Sequence, residues 1–296
     1  MMDAIRLWSE NTCDAEGRMP SLTPFLIDDA EIHGAILVIP GGGYGCVCEQ
    51  TEGTPIAGMF NRLGFHAFVL DYRVAPHRYP APQQDGFRAM KLIRGNAARF
   101  RVDPECVAAC GFSAGGHLAA SLGVLEKEVD ASAGDGFDSL PATPDYLILG
   151  YPVISLEARG HADSGRNLLG DRYDAEFRRL SLQYRVTRHT PPAFLWHTIR
   201  DQIVPYRNSV LFAEAMAEKG RPCELHLFPC GDHGMLLGLG TKDVSAWPRL
   251  AVNFIAAQRA ARAAETGGRA ETYRRLYTNA EQARRERKLF RSGKTK

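Results

Sequence analysis

The 296-residue sequence lacks the long apolar segments that mark membrane proteins. It contains no run of about 18 apolar residues, which is the length a helix needs to cross a bilayer. Its first ten residues, Met1–Glu10, hold neither the apolar segment of roughly 7–15 residues nor the small-residue cleavage site of a secretory signal. From these absences we expect a chain without a membrane span or a secretory leader.

Cysteine is scarce, and its number is odd: the seven cysteines are Cys13, Cys46, Cys48, Cys106, Cys110, Cys223 and Cys230. A short secreted chain held by disulfides usually has an even number. The pair Cys46-x-Cys48 has too few ligand candidates nearby for a zinc site. We therefore expect free thiols in the reducing cytoplasm, and neither a metal nor an organic cofactor.

An excess of one charge is also missing from the whole chain, whose formal net charge is only +2. Residues 259–296, however, carry 12 basic and four acidic side chains, so they hold +8 and leave −6 for residues 1–258. We therefore predict a catalytic domain over residues 1–258 and a basic extension over residues 259–296, either helical or flexible, with a hinge at Gly267-Gly268.

The extension has three possible roles. Apolar residues recur at helical spacing within it, at Tyr273, Leu276, Tyr277 and Ala280. An amphipathic helix of this kind would contact another subunit, giving a homo-oligomer, or the segment would be a solvated end. A basic arm would also suit an anionic polymer, but the sequence contains no recognised nucleic-acid motif, so no nucleic-acid or membrane partner is expected.

The first 258 residues alternate short apolar runs with helix-like segments, and 45% hydrophobic residues are enough for a large core. The predicted strands are Ala35–Ile39, Ala67–Leu70, Val107–Cys110, Tyr146–Leu149, Phe194–His197 and Leu225–Phe228. The predicted helices are Pro55–Leu63, Gln84–Phe100, Ala114–Leu125 and Ser209–Lys219. Near-continuous apolar strands separated by helices indicate an α/β fold with a mostly parallel, doubly wound sheet and helices on both faces.

The strongest local motif is Gly-x-Ser-x-Gly at Gly111–Gly115, between the strand Val107–Cys110 and a helix-like segment. A serine on a sharp strand-to-helix turn is presented above the sheet, and glycines leave room for that turn. The motif by itself is short enough to occur by chance, and a glycine-rich turn with an incidental serine is the alternative. Its position between strand and helix favours Ser113 as a nucleophile.

A serine nucleophile needs a base, and the base needs an orienting carboxylate. In the order Ser, Asp or Glu, His, the later strands supply Asp201 after Phe194–His197 and His233 after Leu225–Phe228. His233 is favoured among nine histidines because it is flanked by glycine after the last strand. Asp232 is the competing acid, but sequence neighbours seldom face each other with the geometry of a triad.

Three consecutive glycines, Gly41–Gly43, follow the first strong strand. Such a run leaves backbone N–H groups free to bind the oxyanion of a tetrahedral intermediate, with the N–H of Ala114 as the usual companion. The run fits neither phosphate-binding glycine pattern. Its alternative interpretation is a flexible hairpin.

Several stretches in order resemble the α/β-hydrolase esterases of the acetyl esterase and acetylxylan (feruloyl-type) esterase group. They are Pro40–Tyr44, Asp71–Pro76, Gly111–Ala119, Gly150–Ser155, Pro191–Thr198 and the loop at His233. The resemblance covers residues 22–257. It implies an α/β-hydrolase fold, a catalytic triad of Ser113, Asp201 and His233, and oxyanion donors at Gly42, Gly43 and Ala114.

The resemblance also implies the activity of a serine carboxylesterase that removes short acyl groups, acetyl first, from carbohydrates such as xylo-oligosaccharides. The related lipase-like branch has histidine before its three glycines, where this chain has Pro40, which disfavours a lipase. Hydrolysis of another acyl bond, such as an arylformamide or a non-carbohydrate ester, is the alternative. Arg73 and Asp85 are expected to form a structural ion pair.

Three loops are expected over the carboxyl ends of the strands, at Tyr44–Gln50, Ala131–Pro144 and Glu157–Tyr173. Their Tyr44, Phe137 and Asn167 suit a shallow sugar-binding rim. Ordinary polar loops are an equally good interpretation.

Overall fold

The computed structural model describes residues 3–9, 17, 19–158 and 160–266. Cys13, the predicted hinge at Gly267-Gly268 and the apolar residues Tyr273–Ala280 of the extension lie outside these ranges. No helix within the described ranges is long and apolar enough to cross a membrane.

Eight strands of the described residues form one sheet in the order β1-β2-β4-β3-β5-β6-β7-β8. The neighbouring pairs β1·β2 and β2·β4 are antiparallel, and the other neighbouring strands of the sheet are parallel. The strands are β1 (Ile5–Arg6), β2 (Ser21–Phe25), β3 (His33–Ile39), β4 (Phe65–Asp71), β5 (Val102–Phe112), β6 (Tyr146–Gly150), β7 (Ala193–Thr198) and β8 (Cys223–Phe228). The predicted mostly parallel sheet is confirmed, and each predicted strand lies inside an observed one.

Helices connect the parallel strands of the described residues, and one more helix follows the last strand. They are α1 (Thr54–Arg62), α2 (Ala81–Gly95), α3 (Ala97–Phe100), α4 (Ser113–Val124), α5 (Ala162–Leu169), α6 (Tyr173–Glu176), α7 (Arg207–Glu218) and α8 (Trp247–Thr266). The single helix predicted over residues 84–100 is interrupted at Asn96, whose side-chain Nδ2 donates to the carbonyl oxygen of Leu92 at 2.9 Å. A side chain that competes for backbone partners in this way ends a helix readily.

The central strands are buried along their length, as a sheet covered on both faces requires. Every residue of β6 and β7 is buried, and only the last residue of β4 is partly exposed. Beside this core, the rings of Trp196 and Trp247 stack with centroids 5.3 Å apart.

The chain divides into two compact units, residues 1–251 and 252–296, and the division falls inside α8. The boundary predicted at Gln258 lies in the same helix. Residues 259–266 are the last residues of α8, and the remainder of the predicted extension lies outside the described ranges. Its helical or flexible character stays a prediction.

Strand direction decides which loops can border a site. The carboxyl ends of parallel strands meet at one edge, where the loops after β3, β5, β7 and β8 lie. The expectation that the loop over residues 131–144 joins them is wrong, because it follows α4 back to the opposite edge and leads into the start of β6. There Arg94 Nη1 donates to the carbonyl oxygens of Pro141 and Thr143 at 2.9 and 2.8 Å.

Candidate active site

Ser113 stands at the junction of β5 and α4 in a strained backbone conformation. Its φ is +52°, in the left-handed region that non-glycine residues rarely adopt. The flanking glycines are required by close packing. A Cβ on Gly111 would lie 2.1 Å from the carbonyl oxygen of Gly115, and one on Gly115 would lie 2.2 Å from that of Ile39. The turn therefore holds the serine hydroxyl at the carboxyl edge of the sheet, beside the first turn of α4.

His233 lies on the loop after β8 and contacts the serine. Its Nε2 is 3.0 Å from Ser113 Oγ, and its Nδ1 is 2.7 Å from Oδ2 of Asp201, on the loop after β7. Because an ionised carboxylate only accepts hydrogen bonds, Nδ1 carries the proton. Nε2 is then free to accept from the serine hydroxyl, which is the geometry of a general base next to a nucleophile.

Asp201 is held ionised by its partners. Its side chain is fully buried, and Oδ1 accepts hydrogen bonds from the backbone N–H groups of Ile203 and Val204, both at 2.9 Å. Burial by itself raises the pKa of this carboxyl, but hydrogen bonds from His197 and His233 outweigh it and bring the pKa below its usual range. The competing acid Asp232 does not orient the base, because His233 Nδ1 donates its hydrogen bond to Asp201.

A second imidazole, that of His197, also supports this carboxylate. Its Nε2 donates to the carbonyl oxygen of Val204 at 2.9 Å and lies 3.3 Å from Asp201 Oδ2. Its Nδ1 accepts from Ser209 Oγ at 2.8 Å. A histidine inside a predicted apolar strand gives no sequence signal for this contact, because β7 and α7 are brought together only by folding.

The glycine loop after β3 has the conformation that only glycine adopts easily. The φ angles of Gly42 and Gly43 are +126° and +65°, and a Cβ on Gly42 would lie 2.2 Å from the carbonyl oxygen of Cys46. That loop is closed by hydrogen bonds from Gly45 N and Cys46 N to the oxygen of Gly42, at 3.0 and 3.1 Å. These contacts define one closed conformation of the loop.

The predicted oxyanion donors keep their N–H groups unused. Within the described part of the chain, the N–H groups of Gly42 and Gly43 donate to no other group. The N–H of Ala114 belongs to the first turn of α4, where no carbonyl one turn earlier is available. The role of these three N–H groups as oxyanion donors stays a prediction, and the N-terminus of α4 adds its positive dipole end beside Ser113.

Two of the three residues expected to form a sugar-binding rim, Tyr44 and Phe137, do not lie on one. Tyr44 is buried, with its hydroxyl 2.8 Å from Nδ1 of His117. Phe137 packs against Gly95 at the opposite edge of the sheet. Asn167, on α5, donates from Nδ2 to the carbonyl oxygen of Gly43 at 3.0 Å and so supports the glycine loop.

Arg73 and Asp85 form the expected ion pair. Arg73 Nη2 lies 2.7 Å from Asp85 Oδ1, and Trp8 Nε1 donates to the same oxygen at 2.7 Å. The carboxylate is fully buried, which raises its pKa, and the hydrogen bonds from Arg73 oppose that rise. Nothing in this contact reaches Ser113, Asp201 or His233.

The glycine loop, Ser113 and Asp201 fall within a stretch that matches a known family, and His233 lies beyond its end. Residues 28–216 match the model of the BD-FAE family, which is more than half of the chain. The chain belongs to the BD-FAE family. The predicted membership of the acetyl esterase and acetylxylan esterase group is thereby confirmed at the level of the family.

Named relatives of this BD-FAE chain act on xylan-related material. It is 39% identical to endo-1,4-beta-xylanase B of Butyrivibrio fibrisolvens over 77% of its own length and 37% of that protein's. It is 32% identical to an acetylxylan esterase of Xylanibacter ruminicola over 70% of its own length and 42% of that protein's. The chain therefore spans less than half the length of these two curated relatives.

Solved structures confirm the α/β-hydrolase fold. The acetyl ester-xyloside bifunctional hydrolase from Caldicellulosiruptor lactoaceticus superposes with a TM-score of 0.81 at 38% identity, over 86% of this chain and 96% of that one. The carboxylesterase Cest-2923 from Lactobacillus plantarum superposes with a TM-score of 0.71 at 26% identity, over 87% and 98% of the two chains.

Proposed function

We propose that the chain is a serine carboxylesterase that removes short acyl groups, acetyl first, from carbohydrates such as xylo-oligosaccharides. The observation that carries the proposal is the continuous hydrogen-bonded series from Ser113 Oγ through His233 to Asp201, beside the glycine loop. An activated hydroxyl next to unused N–H donors suits acyl transfer.

The first half of the reaction forms an acyl-enzyme. Ser113 Oγ attacks the ester carbonyl carbon while its proton passes to Nε2 of His233. The carbonyl oxygen becomes an oxyanion, which the N–H groups of Gly42, Gly43 and Ala114 bind. The C–O bond to the alcohol then breaks, and the alcohol leaves with the proton from His233.

The second half returns the serine. Nε2 of His233 takes a proton from a water molecule, which attacks the acyl carbonyl through a second oxyanion. The bond to Ser113 Oγ breaks, the serine regains its proton and the carboxylic acid leaves. Asp201 keeps the imidazole in its working tautomer and stabilises the imidazolium in both halves. Each step uses the chain's own groups and water.

The substrate class is supported by the relatives. Their names include an acetylxylan esterase and an acetyl ester-xyloside hydrolase. The alternative, an arylformamide or a non-carbohydrate ester, would use the same side chains. Rates on acetylated xylo-oligosaccharides, a formamide and longer p-nitrophenyl esters separate the two, and faster turnover of the formamide would overturn the carbohydrate assignment.

The serine mechanism is tested by replacing one hydroxyl. We expect Ser113→Ala to lower kcat on p-nitrophenyl acetate by about 10⁴- to 10⁶-fold, as in other enzymes of this type. Ser121→Ala is the matched control, because Ser121 is buried in the same helix and its hydroxyl donates only to the carbonyl oxygen of His117. Parental turnover by Ser113→Ala would refute the mechanism.

A reducing compartment, the cytoplasm, and an assembly role for the basic extension remain part of the proposal. The odd number of cysteines supports the first, and the apolar residues Tyr273, Leu276, Tyr277 and Ala280 at helical spacing support the second. Truncation after Thr266 leaves α8 whole. A later elution volume, beyond that expected from the lost mass, would support a homo-oligomer, and an elution volume that follows the mass alone would contradict it.

A further inference from the structure

A second buried carboxylate lies next to the site and has no part in the proposed steps. Glu52 belongs to a π-helical turn, Glu49–Gly53, between the glycine loop and α1, and it is only 6% exposed. Its Oε2 accepts a hydrogen bond from the N–H of Gly41 at 2.6 Å, and its Oε1 accepts one from the hydroxyl of Tyr151 at 2.8 Å. Burying a carboxylate costs free energy, so a buried carboxylate beside an active site is expected to have a structural or functional role.

The first contact holds the glycine loop. Gly41 comes directly before the donors Gly42 and Gly43. A Cβ on Gly41 would lie 2.8 Å from Glu52 Oε2 and 2.9 Å from Ser113 Cβ, so carboxylate, loop and nucleophile are in direct contact. The carbonyl oxygen of Gly41 accepts from Cys48 N at 3.0 Å. A short, charge-assisted hydrogen bond therefore holds the N–H of Gly41, and the bond from Cys48 holds its carbonyl oxygen, directly before the oxyanion donors.

The second contact holds the base. The ring of Tyr151 lies 5.0 Å from the imidazole of His233, centroid to centroid, at an interplanar angle of 71°. It also lies 5.6 Å from the ring of Phe112, the residue before the nucleophile. The backbone of Tyr151 has a φ of +34°, and its N–H donates to the carbonyl oxygen of Trp196 at 2.8 Å. Its hydroxyl bond to Glu52 thus orients the ring on which His233 packs.

The charge of Glu52 also matters to the base. Burial raises the pKa of Glu52, and the Tyr151 hydroxyl, the Gly41 N–H and the charge of His233 all oppose that rise. Both carboxyl oxygens accept hydrogen bonds, the pattern of the ionised form. When His233 takes the serine proton it becomes a cation, and a carboxylate in these dry surroundings stabilises that state.

We propose that Glu52 is a positioning residue, which fixes the oxyanion donors through Gly41 and the imidazole of His233 through Tyr151. The proposal rests on the serine esterase function above. Because both of its targets act on the transition state, Glu52 raises kcat and leaves ground-state binding, and so KM, nearly unchanged.

The test compares Glu52→Gln and Glu52→Ala with the parent enzyme on p-nitrophenyl acetate. The amide keeps the size of the side chain and loses its charge, so we expect kcat to fall about tenfold. Alanine removes both hydrogen bonds, so we expect kcat to fall about 100-fold. In both variants KM should stay within about twofold of the parent value. Tyr151→Phe, which removes only the hydroxyl bond, is expected to resemble Glu52→Gln.

A trifluoromethyl ketone that carries a methyl group provides a readout that a merely structural role would not change. Ser113 Oγ adds to the ketone carbonyl carbon, and the ketone oxygen becomes an oxyanion. The affinity of this inhibitor therefore depends directly on the N–H donors of the glycine loop. We expect its affinity to fall by the same factor as kcat/KM in each Glu52 variant. Two matched control variants should keep the parent's kcat/KM and its affinity for the inhibitor. Asp145→Asn alters a carboxylate that binds Arg94 and Val107 at the opposite edge, and Tyr173→Phe removes a hydroxyl bonded to the carbonyl oxygen of Leu156.

The outcomes separate this inference from the proposed function. If Ser113→Ala is inactive while both Glu52 variants keep kcat and inhibitor affinity within about twofold of the controls, only the role of Glu52 is overturned. A Glu52 variant that loses kcat but keeps its inhibitor affinity would also overturn it. Parental activity in Ser113→Ala would instead remove the serine mechanism itself.

Discussion

The imidazole of His197 lies 3.3 Å from Oδ2 of Asp201, the same oxygen that is 2.7 Å from Nδ1 of His233. One carboxylate oxygen thus faces two histidines with different roles. His233 is partly exposed and reaches the nucleophile, while His197 is fully buried and reaches only the carboxylate, Val204 and Ser209. Asp201 therefore contacts two imidazoles, of which His233 also contacts the nucleophile.

Replacing His197 with phenylalanine should cost more stability than activity. The ring volume is kept, but the carbonyl oxygen of Val204 and the hydroxyl of Ser209 lose their buried partner, which costs about 1–3 kcal/mol for an unsatisfied group. The carboxylate of Asp201 keeps three of its hydrogen bonds, so we expect kcat to fall by less than about tenfold. Urea unfolding and steady-state kinetics measure the two effects. Ser209→Ala, which removes only the hydroxyl, is the control. A loss of kcat as large as that of Asp201→Asn would contradict this division of roles.

Asp201 should make the stability of the protein depend on acidity. Its folded pKa lies below the ordinary value of 3.8, so its contribution to the free energy of unfolding is fully present above the unfolded pKa. That contribution is lost as the pH falls through the folded pKa. The difference in the free energy of unfolding between the parent and Asp201→Asn should therefore shrink as the pH falls below about 4. Denaturant titrations at a series of pH values measure it, and a difference that grows on acidification would contradict the assignment.

The glycine loop should tolerate no side chain at Gly42. An alanine there would place Cβ 2.2 Å from the carbonyl oxygen of Cys46 at a φ of +126°, so the loop must move. We expect Gly42→Ala to lower kcat by about 10²- to 10³-fold, the effect of losing one oxyanion donor. Gly134→Ala is the control, because Gly134 also has a positive φ, +71°, but has open space around it and lies far from the site in the loop before β6. That variant should keep kcat and lose about 1 kcal/mol of stability. Equal kcat values for the two variants would show that the loop does not act on the reaction.

The pair Arg73–Asp85 should act on stability. Asp85 is fully buried and Arg73 nearly so, and Asp85→Asn leaves the guanidinium without its charged partner. We expect the free energy of unfolding to fall by about 3–5 kcal/mol, the usual result of breaking a buried pair on one side. Urea unfolding checks this value. Asp163→Asn, which alters the exposed partner of Arg166, should change the free energy of unfolding by less than about 1 kcal/mol. A small effect for Asp85→Asn would mean that the asparagine replaces the charge without penalty.

Much of the fold could be predicted because its determinants are local. The nearly continuous run of apolar residues along β6 and β7 reflects burial on both faces of the sheet, which the central parallel strands share. The elements that were missed include β1, β2, α5, α6 and the first part of α8. β1 has only two residues, and α5 and α6 lie in a stretch predicted as a loop. The short strand exists because β2 pairs with it, and that pairing involves a partner distant in the sequence.

For the site, the sequence by itself determined which residue types stand after which strand. Glycines around Ser113, a carboxylate after β7 and a histidine after β8 are readable because each role demands a particular chemistry at a particular place in the chain. Only the tertiary structure decided which groups support them. Glu52 and Tyr151 are 99 residues apart, and His197 is an ordinary strand residue in the sequence. Such supporting contacts depend on distances of a few ångströms between separate elements, and no pattern along a chain encodes those distances directly.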